Sequence, residues 1–177
     1  LIARAKAKPG ELNYVSSGTG GILHLAGELF TQRTGVKMTH VSYRGSGPAI
    51  IDLLAGQGQV AFTTVPTILG QVRANAVRLI AAASRERSPL FPDTPTVQDG
   101  GVKDYDVGTW WSVMGPAGLP GEIVQALNAA VNDAAASPTL SKRFSDEGAT
   151  PFRGTPAAFG AILAEELANW RRVVQDG

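Results

Sequence analysis

Three times in its first 66 residues this chain runs a short stretch of strand-forming residues into a cluster of small and hydroxylated ones, and a helical pattern follows each time. ELNYVS (11–16) leads into SSGTGG (16–21) and then ILHLAGELFTQRT (22–34). VKMTHVSY (36–43) leads into YRGSGP (43–48) and PAIIDLLAG (48–56). QVAFTT (59–64) leads into TTVP (63–66) and PTILGQVRANA (66–76), after which VRLIAAAS (77–84) reads as a fourth, apolar strand. In the first helix Ile22, Leu25, Ala26, Leu29 and Phe30 recur at helical spacing, with Gly35 as the stop. Pro48 and Pro66 stand in first turns, where a missing N–H costs nothing. A βαβαβαβ order predicts an α/β fold with a parallel sheet and covering helices. Its crossovers carry the strand C-termini and helix N-termini to one edge.

Beyond residue 84 the pattern loosens. SPLFPDTPTVQDGG (88–101) reads as an irregular connection holding one short helix, and DVGTWWSVMGP (106–116) as a strand. Trp110 and Trp111 would alternate faces on it, with core packing the simplest reading of both. Residues 120–137 predict a long amphipathic helix with Ile123, Leu127, Ala130, Val131 and Ala134 as its buried stripe. Helices over 138–148, ended by Gly148, and from about Pro156 to Gln175, carrying a packed Trp170, complete the chain. The opening LIARAKAKPG reads as the last turns of a helix stopped by Pro9 and Gly10, as in a piece of something longer.

Composition excludes several classes of function. No run of about 18 apolar residues occurs, so no segment predicts a membrane-spanning helix. Cysteine is absent, which excludes disulfides and thiolate metal sites. His24 and His40 are the only histidines and lack a metal-ligand spacing partner. GTGG lacks the third glycine of a dinucleotide fingerprint, and no phosphate loop of the G-x-x-x-x-G-K-[ST] type is present, so no cofactor is expected. The net charge of +1 divides into +4 over residues 1–105 (11 Lys/Arg, 7 Asp/Glu) and −3 over 106–177 (5 against 8). That suits a small anion or plain solvated surface; it is too weak for a nucleic-acid surface.

The three junctions carry the chemistry. A helix's first turn presents unpaired N–H groups and a positive dipole end, which suit a carboxylate or phosphate. Glycine admits close approach, and Ser/Thr hydroxyls add donors. Any one junction alone is an ordinary turn or cap; three on one sheet edge make a joint case for a ligand site. His24, in the first turn of its helix, reads equally well as a packed residue or as a donor aimed at the anion. A triad of Ser16 or Ser17 with His24 and a distant Asp can be drawn, but no G-x-S-x-G elbow supports it.

The succession LNYVSSGTGGILHLAGELF, HVSYRGSGPAIIDLLAGQ, FTTVP, SRERSPLFPDTPTVQDGG and WWSVMGPAGLPGEIVQALN resembles the tripartite tricarboxylate transporter receptor family, the Bug solute-binding proteins, over nearly the whole chain. The resemblance implies a fold like type II periplasmic binding proteins: two α/β lobes with parallel-rich sheets and flanking helices, closing on a ligand. It implies a periplasmic receptor, not an enzyme, that captures a small carboxylate for membrane permease subunits. Carried over, the ligand loops fall on Ser16, Gly18, Thr19, Gly20 and Gly21 with His24; on Tyr43, Arg44, Gly45 and Ser46; and on Thr63, Thr64 and Pro66.

Departures from the family pattern modify this. Gly21-Ile22-Leu23 stands where further serines are common, making the pocket edge more apolar. Arg44 stands where Lys is common, and Thr63 where Asp often could pair with a ligand amino group, which predicts a plain di- or tricarboxylate or aromatic acid rather than an amino acid. Family members carry roughly another hundred residues upstream. Residues 1–106 would then be the ligand-binding second lobe, and 107–177 a crossing strand and C-terminal helices of a first lobe whose N-terminal part is missing. Such a chain would expose a face normally covered, a route to self-association. Rival readings are the small-acid-sensing effector domain of a LysR-type regulator, an acyl-transfer enzyme using Ser16 or Ser17, and a structural scaffold.

Overall fold

A computed structural model of the chain describes residues 1–176. The chain falls into two compact units, one of residues 1–109 together with the chain from Val173 on, the other of residues 110–172. In the first unit α1 (Ile2–Ala7) precedes β1 (Asn13–Ser16), α2 (Ile22–Thr34), β2 (Thr39–Ser42), α3 (Ser46–Leu54), β3 (Val60–Ala61) and α4 (Val65–Arg73). The three strands form one parallel sheet in the order β2-β1-β3. Asn13 to Ser16 pair with Thr39 to Ser42, and Tyr14 and Val15 pair with Val60 and Ala61. The parallel α/β expectation therefore holds for the first three strands.

The central strand is the core. Tyr14, Val15 and Ser16 are all essentially inaccessible. The α2 stripe lies over them through Ala26, Leu29 and Phe30, and Phe62 meets Tyr14 edge-on at 5.8 Å. Tyr105, far along the chain, is buried against the same helix: its ring meets Phe30 at 90° and its hydroxyl donates to Ala26 O at 2.9 Å. At full burial each large apolar side chain contributes about 1.5–3 kcal/mol, so this shared cluster of Phe30, Phe62, Tyr14 and Tyr105 outweighs the surface ion pairs of the unit. Those pairs, Arg4–Glu11, Lys8–Glu11, Arg85–Asp106 and Arg87–Asp99, sit on side chains open to water, which screens them.

Boundaries follow turn chemistry. Gly35 ends α2 in the left-handed region (φ 66°), with its N–H on Thr31 O at 2.9 Å. α3 begins two residues earlier than Pro48, which still falls inside the first turn, where no intrahelical N–H bond is needed.

Four expectations fail. Residues 77–84 form no strand: Ala82 bridges Thr96 alone, its N–H bonded to Pro95 O and its O receiving Val97 N–H. Pro95 has no N–H to return, and the ladder stops there. The segment 88–101 contains turns and no helix. Pro89, Pro92 and Pro95 interrupt it, and the Asp99 carboxylate takes up the Thr96 N–H at 3.1 Å and the Arg87 guanidinium. Residues 106–116 form no strand either: Val107 N–H reaches Ala83 O at 2.9 Å, but no ladder follows from it, and Trp110 and Trp111 are both exposed. The second unit holds α5 (Gly121–Ala136), α6 (Pro138–Asp146) and α7 (Pro156–Asp176) as far as Arg172. The expected stripe on α5 is present as a pattern but not as a core: Ile123, Leu127 and Val131 are 42–48% exposed, and no α5 residue is buried. Helical periodicity identifies the apolar face without supplying the surface that covers it. Trp110 packs edge-on to Phe159 at 5.2 Å, and Trp170 Nε1 donates to Glu166 Oε2 at 2.7 Å.

Candidate functional site

Parallel pairing brings the C-terminal ends of β1, β2 and β3, and the N-termini of α2, α3 and α4, to one edge of the sheet. Two main-chain hydrogen bonds lace the first two junctions together: Tyr43 N–H to Ser16 O at 3.1 Å and Gly45 N–H to Ser17 O at 3.2 Å. Gly45 holds φ 106°, a conformation a side chain would strain, and this turns the chain into α3. No side chain caps α2, α3 or α4, whereas α6 is capped by Ser137. α1 and α5 also lack side-chain caps, so what sets the three apart is their convergence.

The three junctions meet at one small pocket with a volume of about 10 Å³, room for roughly one water. Ser16 and Ser17 from the first junction, Ser46 from the second and Thr63 from the third line it, over an apolar floor that includes Leu23, Ile50 and Phe62. Thr63 Oγ1 is buried and has no hydrogen-bond partner among the described residues. An unsatisfied buried hydroxyl costs about 1–3 kcal/mol, a cost that a bound donor or acceptor relieves.

Of the residues expected from sequence, then, Ser16, Ser46 and Thr63 line the pocket. Gly18 lies beside them with its carbonyl taking the Ser16 hydroxyl at 3.1 Å. Thr19, Gly20 and Gly21 are exposed and do not line it; nor does Arg44, which is exposed, or Pro66, exposed in the first turn of α4. Thr64 Oγ1 is engaged with Thr67 Oγ1 at 2.8 Å. Tyr43 is occupied below the junction, its hydroxyl donating to Asp52 Oδ2 at 2.7 Å, and that bond raises its phenol pKa.

His24 is turned to the inner face of the sheet, outside the pocket lining. Its Nδ1 accepts the Gly20 N–H at 3.2 Å, its Nε2 lies 3.7 Å from Glu28 Oε1, and its ring lies against His40, centroids 4.0 Å apart. His40 in turn stacks on Tyr14 and places Nε2 2.8 Å from Ser16 Oγ. Tyr14 donates to Glu28. Burial, and then the neighbouring His24, hold the His40 pKa below the ordinary imidazole range; burial, and then Glu28, push the Tyr14 phenol up. The drawn Ser–His triad thus has the wrong histidine. Ser16 meets His40, not His24, and at 1% exposure it is inaccessible to a substrate.

Sequence reasoning set Leu23 at the pocket edge, where it lies, but left out Phe62, His40 and Glu28. The His24–Glu28 spacing of four was a readable signal. His40 required the strand register, which sets it opposite Tyr14. Among the described residues no group of three potential metal ligands occurs, and no helix is long and apolar enough to cross a membrane.

Residues 1–177 match the family model described as "Tripartite tricarboxylate transporter family receptor". BugT of Bordetella pertussis is 36% identical over 176 residues, which is 99% of this chain and 54% of that protein. The solved structure of R. palustris Rpa4515 with adipate superposes with a TM-score of 0.92 at 33% identity, covering 98% of this chain and 58% of the other. MatC from Rhodopseudomonas palustris with bound malate gives a TM-score of 0.84 at 29% identity, covering 98% and 60%. The chain spans about half the length of BugT. Nothing in these similarities supports the LysR-type effector-domain reading.

Proposed function

Because the chain belongs to the tripartite tricarboxylate transporter receptor family, we propose that it acts as a periplasmic solute-binding receptor, not an enzyme, capturing a small carboxylate for the membrane permease subunits of such a transporter. The meeting of the three strand-to-helix junctions at a pocket lined by Ser17, Ser46 and Thr63 carries this reading. Micromolar capture needs about 8 kcal/mol. Each hydrogen bond to a charged group contributes about 1.5–3 kcal/mol, so three to five converging donors suffice without a formal counter-charge. Lys8, Arg87 and Arg85 are engaged by Glu11, Asp99 and Asp106, and Arg44 is exposed outside the pocket lining, which favours neutral donors over an arginine clamp. The pocket itself has room for one water or one carboxylate oxygen, in keeping with an anion's end being held there while its body lies outside.

The ligand loops in this reading are Ser16 to Gly21 with His24, Tyr43 to Ser46, and Thr63, Thr64 and Pro66. His24 serves through Gly20 rather than by contact. Residues 1–106 form one lobe, and 107–177 belong to the other, the remainder of which the longer relatives carry. Thr63, uncharged, favours a plain di- or tricarboxylate or an aromatic acid over an amino acid. The relatives bound to adipate and malate support the carboxylate class. Exposed Trp111, Val113, Met114 and Leu167 support association of this chain with a second copy, which light scattering after size exclusion reads as a mass above one chain; a single-chain mass would remove that part.

Calorimetric titration with adipate, malate, citrate, benzoate and aspartate tests the function. Saturable one-to-one binding of one acid class without turnover is expected. Aspartate binding more tightly than every simple acid would overturn the substrate class, and covalent labelling of Ser17 by a serine-directed reagent would favour the acyl-transfer rival.

A further inference from the structure

Beneath the first ligand loop, the side chains of Tyr14, Ser16, His24, Glu28 and His40 form one continuous polar chain from three elements of the fold. It is anchored to the loop's backbone at two points. His24 Nδ1 accepts the Gly20 N–H at 3.2 Å, and Ser16 Oγ, 2.8 Å from His40 Nε2, lies 3.1 Å from Gly18 O. A chain that only filled space would not need two imidazoles with their rings 4.0 Å apart. We infer that His24 is a positioning residue for the ligand loop, holding Gly20 in place only while its ring is neutral, so that a proton taken up by the histidine pair releases the loop. The inference rests on the carboxylate-receptor reading for its consequence, weaker capture of an anion at acid pH, but not for its geometry.

One lone pair of His24 holds the Gly20 amide. To accept from Gly20, Nδ1 must be unprotonated, which leaves the ring's N–H on Nε2, toward Glu28. An imidazolium is a donor at both nitrogens. A proton on Nδ1 therefore confronts the Gly20 N–H with a second donor, and the hydrogen bond is lost. The titratable groups facing the pair are Glu28 from α2, Tyr14 from β1, and the two histidines themselves from α2 and β2; Phe62, beyond β3, closes the remaining side with an edge on Tyr14. The Glu28 carboxylate lies 3.7 Å from His24 Nε2. His40 lies over Tyr14 and is directed to Ser16, and burial resists its charging. Two charged rings at this separation repel, so the pair takes one proton before it takes two. A proton on His24 Nδ1 breaks the Gly20 anchor, and the His40–Ser16–Gly18 anchor remains.

The test uses the ligand-free chain, so its failure is separate from failure of the carboxylate reading. Nuclear magnetic resonance spectra from about pH 7.5 to about pH 5 follow the Gly20 amide and both imidazoles. The Gly20 amide is expected to move with the same midpoint as the His24 ring, and its solvent exchange, corrected for pH, to rise about tenfold. In His24→Asn, a side-chain oxygen near the position of Nδ1 still accepts but does not titrate, and the Gly20 amide should stay at its neutral-pH position throughout. In His24→Phe it should sit at its acid position at every pH. A Gly20 amide that stays fixed while His24 titrates in the unmodified chain, or that titrates unchanged in His24→Asn, overturns the proposal.

Discussion

Gly27 of α2 lies directly against the ring of Tyr14 on β1, so close that a Cβ at position 27 would overlap the ring's Cε2 and Cζ. Glycine within a helix ordinarily costs about 1 kcal/mol relative to alanine, and here it is the condition for the helix to approach the sheet. The Tyr14 ring cannot move aside, because it stacks on His40 and its hydroxyl is tied to Glu28. Gly27→Ala should therefore destabilise the fold by about 1–3 kcal/mol despite its better helix propensity. Urea unfolding followed by circular dichroism checks this, and a variant more stable than the parent would refute the packing account.

The buried Tyr105 hydroxyl reaches Ala26 O across 79 residues of sequence and ties the 102–107 segment to α2. Tyr105→Phe should cost about 1 kcal/mol, a fall in Tm of about 2–4 °C for a chain of this size. Burial raises the pKa of this phenol above its ordinary value. The unfolded chain then loses the proton first, the native state holds more protons than the unfolded one, and stability declines as pH rises above about 10. Denaturation measured at about pH 9 and about pH 11 should show this decline in the parent and a shallower one in the variant.

Asp99 acts in the opposite direction. The Thr96 N–H on its carboxylate, and then the Arg87 guanidinium, lower its pKa. In the acid range the unfolded state binds the proton that the native state refuses, so its contribution is present above about pH 4 and lost as pH falls through the lowered native value. Asp99→Asn should lower stability at neutral pH, where the parent's carboxylate is charged, and flatten the acid limb of the pH–stability profile, the two proteins converging as pH falls through the native value. Equal loss at all pH values would show instead that the turn over 96–101 depends on the carboxylate's shape rather than its charge.

How much of this was readable beforehand differs by element. The α2 boundaries, 22–34, come out the same from periodicity and from structure, because both ends carry local signals, Gly21 and Gly35. The three junctions could be placed on one edge because parallel βαβ order leaves no other arrangement. That Ser46 and Thr63 share a pocket with Ser16 follows from the same rule. What could not be read is whatever depends on a distant partner. Residues 77–84 and 106–116 have strand composition but lack a ladder, and the α5 stripe has the period of a core helix but no cover. His24 shows the same limit at the site: sequence put it on the first turn of α2, but its role is set by His40, which only the β1–β2 register brings against it.

Thr63 offers the sharpest separation of stability from binding. Its Oγ1 is buried without a partner among the described residues and stands in the pocket lining with Ser17 and Ser46. Thr63→Val removes the hydroxyl at nearly constant shape. If the hydroxyl served the fold, the variant would lose stability. Since nothing described in the free protein pairs with it, stability should stay level or rise by up to about 1 kcal/mol, the desolvation cost being removed. If the hydroxyl serves a carboxylate, the same substitution should weaken capture about tenfold, equivalent to about 1.4 kcal/mol. Calorimetry with adipate and thermal unfolding on the same preparations read the two quantities together. Gained stability with lost affinity marks Thr63 as a ligand group kept unsatisfied for that purpose, and unchanged affinity removes it from the site.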